Sequence, residues 1–397
     1  MSTTNTNLLV LAEISVGGVE VTWQDGHKAH FLDIWLRHSP GFPGAQRPAG
    51  PDGRFPHDKT KIAARDALTT DDGDLQVEWS DGSRSQHDAT WLRAHEYGND
   101  AASNRRRQVF LWDTETARQH NHFDYSSIED DAATRVEMFE QLLDHGVALL
   151  QNTPTSPNSV IDIAGWFGHV PANLYADDSS HPQVANVRVD PRVTVATNMC
   201  HFLGPHTDTC WRQTLCGLLL LHCLEAHPGG GRSIVVDGFA VAERLRETDS
   251  DAFDFLARVP LEFGAQVDNG DDWRVQGRVL SVAADGVLEG VRYNGNSIGQ
   301  LELPAEQVEA GYHALQAFES ILYDRSLWWQ PQLQPGDLLV LDNHRVLHGR
   351  EAFDPKLGER HLQSCSVDRD DFHNRYRRLA KQLSRPGWNQ RLSAGVI

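Results

Sequence analysis

Gly204-Pro205-His206-Thr207-Asp208 and, far downstream, Pro335-Gly336-Asp337-Leu338-Leu339-Val340-Leu341-Asp342-Asn343-His344-Arg345-Val346-Leu347-His348-Gly349-Arg350 decide the fold. His206 and Asp208 stand one residue apart, so on an extended strand or bend both project to the same side. In the second stretch Pro335-Gly336 makes a turn, an apolar strand follows, and His348 lies just beyond it. Two imidazoles and one carboxylate on one face of an octahedron leave three positions open. Iron(II) suits such a set, because a bidentate co-substrate and oxygen need those positions. Singly, each piece is weak: a chain with 20 histidines contains chance His-x-Asp pairs, and a lone His348 reads as a strand-end histidine. Arg360 strengthens the set. It follows His348 by twelve residues, at the head of Arg360-His361-Leu362-Gln363. A guanidinium there, on the next strand, can grip the far carboxylate of 2-oxoglutarate with two parallel hydrogen bonds. The competing role is a surface ion pair.

Working outward, apolar runs at 215–223 and 337–342 read as buried strands, and helical spacing recurs at 239–257 and 303–325. Ala132–Gly146 reads as an amphipathic helix, with Val136, Met138, Phe139, Leu142 and Leu143 on its apolar face and Gly146 as its stop. Val147-Ala148-Leu149-Leu150 follows as a strand. The alternation indicates an α+β domain with a β-sandwich or jelly-roll core.

The first hundred residues contain a repeat. Val19-Glu20-Val21-Thr22-Trp23-Gln24-Asp25-Gly26 leads to Trp35-Leu36-Arg37. Leu75-Gln76-Val77-Glu78-Trp79-Ser80-Asp81-Gly82 leads to Trp91-Leu92-Arg93, with an offset of 56 residues throughout. Alternating strands that reverse at Asp-Gly give a small, mostly β domain, whose tryptophans read as core rather than as a ligand platform. The Pro/Gly-rich segment Ser39–Asp58 between the copies reads as a loop, and residues 96–125 as a polar connection. The expected domains are 1–100 and 120–397.

With 397 residues, 40% of them hydrophobic, the chain can build a sizeable core. The net charge of −19 disfavours nucleic acid and anionic membranes as partners. No apolar stretch is long enough to span a bilayer, and Met1–Asn7 lacks signal-peptide character, so a cytoplasmic location is expected. The five cysteines, Cys200, Cys210, Cys216, Cys223 and Cys365, form no CxxC pair and read as buried thiols.

Several segments together resemble γ-butyrobetaine hydroxylase and its trimethyllysine hydroxylase relatives, within the wider taurine-dioxygenase-like group. They are His206-Thr207-Asp208, Leu218–Cys223, Gly229-Gly230-Gly231-Arg232-Ser233, Pro335-Gly336-Asp337, Asp342-Asn343, Leu347-His348-Gly349-Arg350 and Arg360-His361-Leu362. The repeat domain resembles the small domain that precedes the catalytic one in that family. The resemblance implies a double-stranded β-helix core, iron(II) and 2-oxoglutarate as cofactor and co-substrate, O2 and a small molecule as reactants, and a homodimer. It also implies that Ser233 helps hold 2-oxoglutarate and that oxidative decarboxylation to succinate drives hydroxylation of an aliphatic carbon.

The chain departs from the family in two places. Eukaryotic members bind zinc in the small domain through clustered cysteines after the first Trp-Leu-Arg and a histidine. Here no cysteine follows Trp35-Leu36-Arg37 and Ser83 stands at the histidine position, so no zinc is expected. His38, His57 and His87 read as ordinary polar residues. The family also boxes a trimethylammonium group in aromatic rings. Ser366 occupies the position of one ring, and an aromatic expected near Asn198 is missing. Trp211 and Arg212 follow the iron motif where the family has small or aliphatic residues. Within Val291-Arg292-Tyr293-Asn294-Gly295-Asn296, Asn294 and, more weakly, Arg292 match a segment that binds the substrate carboxylate. Tyr175, Tyr293 and Trp211 are candidates to rebuild the box, with core packing as the competing role. Two other readings stay open: a zinc-type metal-dependent hydrolase on the same triad, and a non-catalytic metabolite-binding or sensing protein on the same fold.

Overall fold

Alternating burial folds each copy of the repeat into a three-stranded antiparallel sheet followed by a short helix. The computed structural model describes residues 8–39, 41, 62–97, 105–120, 122–189, 199–266 and 271–396. Most of Ser39–Asp58, with His57, and Asn198 lie outside them. The chain divides into two units, Met1–Arg106 and Arg107–Ile397. In the first unit, β1 (Leu9–Ser15), β2 (Gly18–Trp23) and β3 (Lys28–Leu32) precede the helix Asp33–His38. The second copy has β4 (Ala64–Thr69), β5 (Leu75–Trp79), β6 (Arg84–His87) and the helix Ala89–His95. Gly26 and Gly82 hold φ of +86° and +80° at the two Asp-Gly turns, where a side chain would strain the backbone. Trp23 and Trp79 are fully buried core residues. The arginine of each Trp-Leu-Arg triplet reaches the turn aspartate of the other copy. Arg37 bonds Asp81 at 2.8 Å and Arg93 bonds Asp25 at 2.8 Å. Each guanidinium also lies over the other copy's tryptophan. The repeat is thus closed by reciprocal exchange. Ser83 accepts a 2.7 Å bond from Arg37. His87 is buried beside Ser85.

In the second unit the strands are β7 (His122–Asp124), β8 (Val147–Gln151), β9 (Ala185–Val187), β10 (Leu203–His206), β11 (Leu218–Glu225), β12 (Ser233–Asp237), β13 (Leu261–Gln266), β14 (Asp272–Gly277), β15 (Leu280–Val282), β16 (Leu288–Val291), β17 (Trp328–Trp329), β18 (Leu338–Asp342), β19 (Val346–Arg350) and β20 (His361–Val367). Two sheets face each other, ordered β7-β8-β18-β11-β20-β9 and β10-β19-β12-β17. They form a double-stranded β-helix. The central strands β8, β18 and β11 of the larger sheet are apolar on both faces. One side of each alternation, including Leu149, Leu219, Leu339 and Leu341, meets Val235 and Val346 of the smaller sheet. The other, including Leu150, Leu220 and Val340, packs on the helices Ala132–His145 and Arg369–Gln382. The first of these helices starts on the Asp131 carboxylate and stops at Gly146, with φ +77°.

Three sequence readings change. The helical pattern at 239–257 is two helices, Gly238–Thr248 and Ser250–Arg258, because Asp249 leaves helical geometry and caps the second. Residues 107–120 are part of the second unit rather than a linker: buried Trp112 donates from Nε1 to the His145 carbonyl at 2.7 Å. His348 does not sit at the end of the Leu338–Asp342 strand. The chain crosses at Asn343–Arg345 and begins β19 in the opposite sheet.

Candidate metal centre and its cavity

β19 runs between β10 and β12, and His206 and His348 are antiparallel partners on adjacent strands. Directly opposed residues project to the same face, and the two imidazole centroids are 4.4 Å apart. Asp208, just past β10, places Oδ1 3.3 Å from His206 Nε2 and 3.8 Å from His348 Nε2. One ligand atom from each of the three residues falls within a 4.8 Å cluster. The strands approach closely because Gly349 has no side chain: a Cβ there would stand 2.5 Å from the Leu203 carbonyl oxygen.

The surroundings fix each group. His206 donates from Nδ1 to the Gly204 carbonyl at 2.9 Å, which turns the Nε2 lone pair inward. Asn343, fully buried, grips the backbone of Asp208: its Oδ1 accepts from Asp208 N at 2.8 Å and its Nδ2 donates to Asp208 O at 3.0 Å and Cys216 O at 3.1 Å. Thr209 then takes φ +58°, an unusual conformation for a β-branched residue, and its hydroxyl accepts from Cys216 N. Burial opposes charge on both histidines. For His348, burial and the neighbouring His206 hold the pKa down to about 4, so it is neutral at neutral pH. For His206, burial is more than offset by the hydrogen bond and charge of Asp208, and the net direction is upward. Burial raises Asp208, but His348 and His206 overcome it and bring the carboxylate to about 2. A neutral imidazole, a second imidazole with its outer nitrogen tied, and an ionised carboxylate are donors that fit iron(II).

Arg360 precedes β20 and is 8% exposed. Its Nε donates to the Gly231 carbonyl at 3.1 Å, and no carboxylate pairs with it among the described residues. Burial, with Arg350 adding repulsion, lowers its pKa to about 10. A buried guanidinium without an anion fits a dicarboxylate co-substrate. Gly231 makes room for it: φ is +66°, and a Cβ there would meet Arg360 Cδ at 3.0 Å. Ser233 is buried at the start of β12, opposite Arg350.

A cavity of about 1000 Å³ opens onto His206 and Asp208. Tyr175, Trp211, Arg212, Asn294 and Ser366 line it. Arg360, Ser233 and His348 are not among its lining residues. Two expected substrate residues are placed elsewhere. Arg292 spends its guanidinium on the carbonyls of Cys210, Arg212 and Gln213, at 2.7, 2.8 and 3.1 Å. Tyr293 is buried in the core, with its hydroxyl on the Glu319 carboxylate, and faces a smaller neighbouring cavity. Its backbone instead matters: Tyr293 O accepts from Thr207 N at 2.7 Å, which docks the Asn294 segment beside the metal motif. Asn343 had no assigned role in the sequence, although a polar pair, Asp342-Asn343, at the end of an apolar run was a usable signal.

The family model for taurine catabolism dioxygenase TauD, TfdA family, matches residues 73–366. The gamma-butyrobetaine dioxygenase of Pseudomonas sp. (strain AK-1) is 31% identical over 389 residues, which cover 92% of this chain and 95% of that protein. The mitochondrial trimethyllysine dioxygenase of Gallus gallus is 29% identical over 340 residues, 80% of this chain and 75% of that protein. Among solved structures, an asparagine oxygenase in complex with Fe(II), 2S,3S-3-hydroxyasparagine and succinate aligns with a TM-score of 0.48 at 18% identity, over 60% of this chain and 80% of that one.

Proposed function

The chain belongs to the taurine catabolism dioxygenase TauD, TfdA family, and from that premise we propose that it hydroxylates an aliphatic carbon of a small polar metabolite at iron(II) held by His206, Asp208 and His348, with Arg360 and Ser233 holding 2-oxoglutarate. The observation that carries this reading is the convergence of three donor side chains from separate parts of the chain within 4.8 Å. Bound iron(II) with 2-oxoglutarate supplies O2-dependent oxidation of a C–H bond coupled to formation of succinate and carbon dioxide. The protein's part is placement. Gly204 O and the Asn343 amide hold His206 and Asp208 in the geometry a metal requires. Arg360 offers two N–H groups to the distal carboxylate, and its burial keeps water from competing. The cavity walls orient the substrate carbon and exclude solvent. A zinc-type hydrolase leaves the unpaired Arg360 without a role.

The substrates named by the relatives make quaternary amines the first compounds to try, with amino acids and phosphonates beside them. Asn294, Trp211, Arg212, Tyr175 and Ser366 are the proposed substrate contacts. A homodimer, a cytoplasmic location and an N-terminal unit without zinc are the accompanying expectations. The last rests on Ser83, which accepts a hydrogen bond from Arg37 at the position where a zinc-binding histidine was sought.

The test is substrate-stimulated succinate formation with iron(II), 2-oxoglutarate and oxygen across that panel. Stimulation by at least one compound is expected. Bound iron without succinate from any compound would favour a sensor, and product formed without oxygen or 2-oxoglutarate would favour the hydrolase. Arg360→Ala is expected to remove two charge-assisted hydrogen bonds, a loss of about 2–4 kcal/mol. The KM for 2-oxoglutarate should then rise roughly 30-fold to 1000-fold. An unchanged KM would remove Arg360 from the co-substrate site.

A further inference from the structure

Among the described residues, two arginines line the cavity, Arg212 and Arg274. Arg274 is neutralised: Nε and Nη2 each lie 3.0 Å from the Asp272 carboxylate, and Nη1 is 3.9 Å from Glu262. Arg212 is different. Among the described residues its side chain meets no carboxylate and makes no hydrogen bond, and its neighbours are two indole rings. The guanidinium carbon is 4.9 Å from the Trp273 ring centroid and 5.6 Å from that of Trp211. The rings are 5.4 Å apart and tilted by 46°. Trp211 is 5% exposed and anchored in the core, so the platform is built into the fold. A guanidinium laid on tryptophan has its face covered and its N–H edge free, the state in which it binds a planar or tetrahedral oxyanion bidentately.

The loop that carries Arg212 is itself fixed. Buried Arg292 holds the carbonyls of Cys210, Arg212 and Gln213 from beneath. Arg212 N donates to Thr209 O at 2.9 Å, one residue past the metal ligand Asp208. Tyr175, Asp208 and Arg212 line the same cavity. Of the acidic lining groups, Asp208 belongs to the proposed metal centre, and Glu262 and Asp272 face Arg274. Exposed Asp368 is a further carboxylate on the lining, and no bond joins it to Arg212.

We propose that Arg212, braced on Trp211 and Trp273, is a specificity-determining residue that takes the acidic group of the substrate, so that the substrate is a small metabolite bearing a carboxylate, sulfonate or phosphonate. Arg292 is the positioning residue for it. This rests on the oxygenase reading for the reaction, but the anion site stands on its own geometry.

The experiment uses the full chain with iron(II) and 2-oxoglutarate. Small carboxylates, sulfonates and phosphonates are each paired with the neutral amide or ester of the same skeleton. Anaerobic titration followed by tryptophan fluorescence measures binding, and aerobic succinate release measures turnover. For the acid that binds, the wild type should favour it over its neutral partner by about 100-fold. Arg212→Gln should erase that preference through KM rather than kcat, and Arg212→Lys, which keeps the charge but not the fork, should restore part of it. The relative order of the three acid types identifies which oxyanion is preferred. No acid binding more tightly than its neutral partner, or an Arg212→Gln protein that keeps the wild-type ratio, overturns the proposal. Arg212-dependent binding of an acid with no succinate from any compound leaves the anion site standing and sinks the oxygenase reading instead.

Discussion

Alanine at His206, Asp208 or His348 is expected to abolish iron(II) retention and to lower substrate-dependent succinate formation by about a thousandfold or more, with the thermal transition nearly unchanged. The magnitude follows from the geometry. Partners that only orient a metal ligand are worth roughly 10–100-fold in affinity or activity, and these three groups are proposed to be the ligands themselves. No spare donor stands ready to substitute: among the described residues, the 4.8 Å cluster consists of these three side chains. The fold should survive because the strand pairing around the site runs through the backbone rather than through these side chains. His206 closes β10, Asp208 lies past it, and the pairing of β19 with β12 runs through Ser233 to Asp237 independently of the imidazoles. Iron per protein after desalting, measured beside the melting curve, separates loss of metal from loss of fold. A variant that keeps stoichiometric iron and full turnover would show that its residue is no ligand.

The parts of this site that could be read from the sequence are those whose chemistry is local. His-x-Asp carries its own geometry, because alternate residues on an extended chain share a side. The Trp-Leu-Arg repeat was visible as a repeat. Its reciprocal closure, Arg37 to Asp81 and Arg93 to Asp25, was not, because nothing local says which copy an arginine will reach. Where the Arg292 and Tyr293 side chains go was not legible for the same reason. They adjoin Asn294 in sequence, but on this irregular segment three neighbours point three ways: one under the 210–213 loop, one into the core, one to the cavity. Arg212 was legible as a candidate, but its tryptophan platform required Trp273, which comes from β14. The crossing at Asn343–Arg345 was hidden by hydrophobicity: Leu338 to Asp342 and Val346 to Arg350 are both fully buried strands. The polar residues between them, Asn343, His344 and Arg345, are all buried.

That crossing gives the largest stability effect expected outside the metal centre. Arg345 and Asp237 are 3% and 0% exposed at their side chains, and they meet twice, Nε to Oδ1 at 2.9 Å and Nη2 to Oδ2 at 2.8 Å. Nη1 also donates to the Asp144 carbonyl and Nη2 to the Phe110 carbonyl. Arg345→Met fills much of the volume but leaves the Asp237 carboxylate buried without a counter-charge and takes a donor from the Phe110 and Asp144 carbonyls, of which Asp144 O keeps the Phe110 N–H. Breaking one partner of such a pair costs about 3–5 kcal/mol. Asp237 keeps hydrogen bonds from Phe239 N and Trp112 N, but neither neutralises its charge. The cost should also reach the metal centre. Asp237 ends β12 opposite Val346, the first residue of the strand that delivers His348 two residues later. Arg345→Met should therefore lower the melting temperature by roughly 10 °C and loosen iron retention, although the residue touches no proposed ligand. Arg345→Lys, which keeps one charge but cannot span both carboxylate oxygens and both carbonyls, should fall between. Melting curves and iron stoichiometry on the three proteins test this together. A Met variant as stable as the wild type would mean that the ion pair contributes no more than apolar packing. A destabilised variant with unaltered iron affinity would uncouple the crossing from the placement of His348.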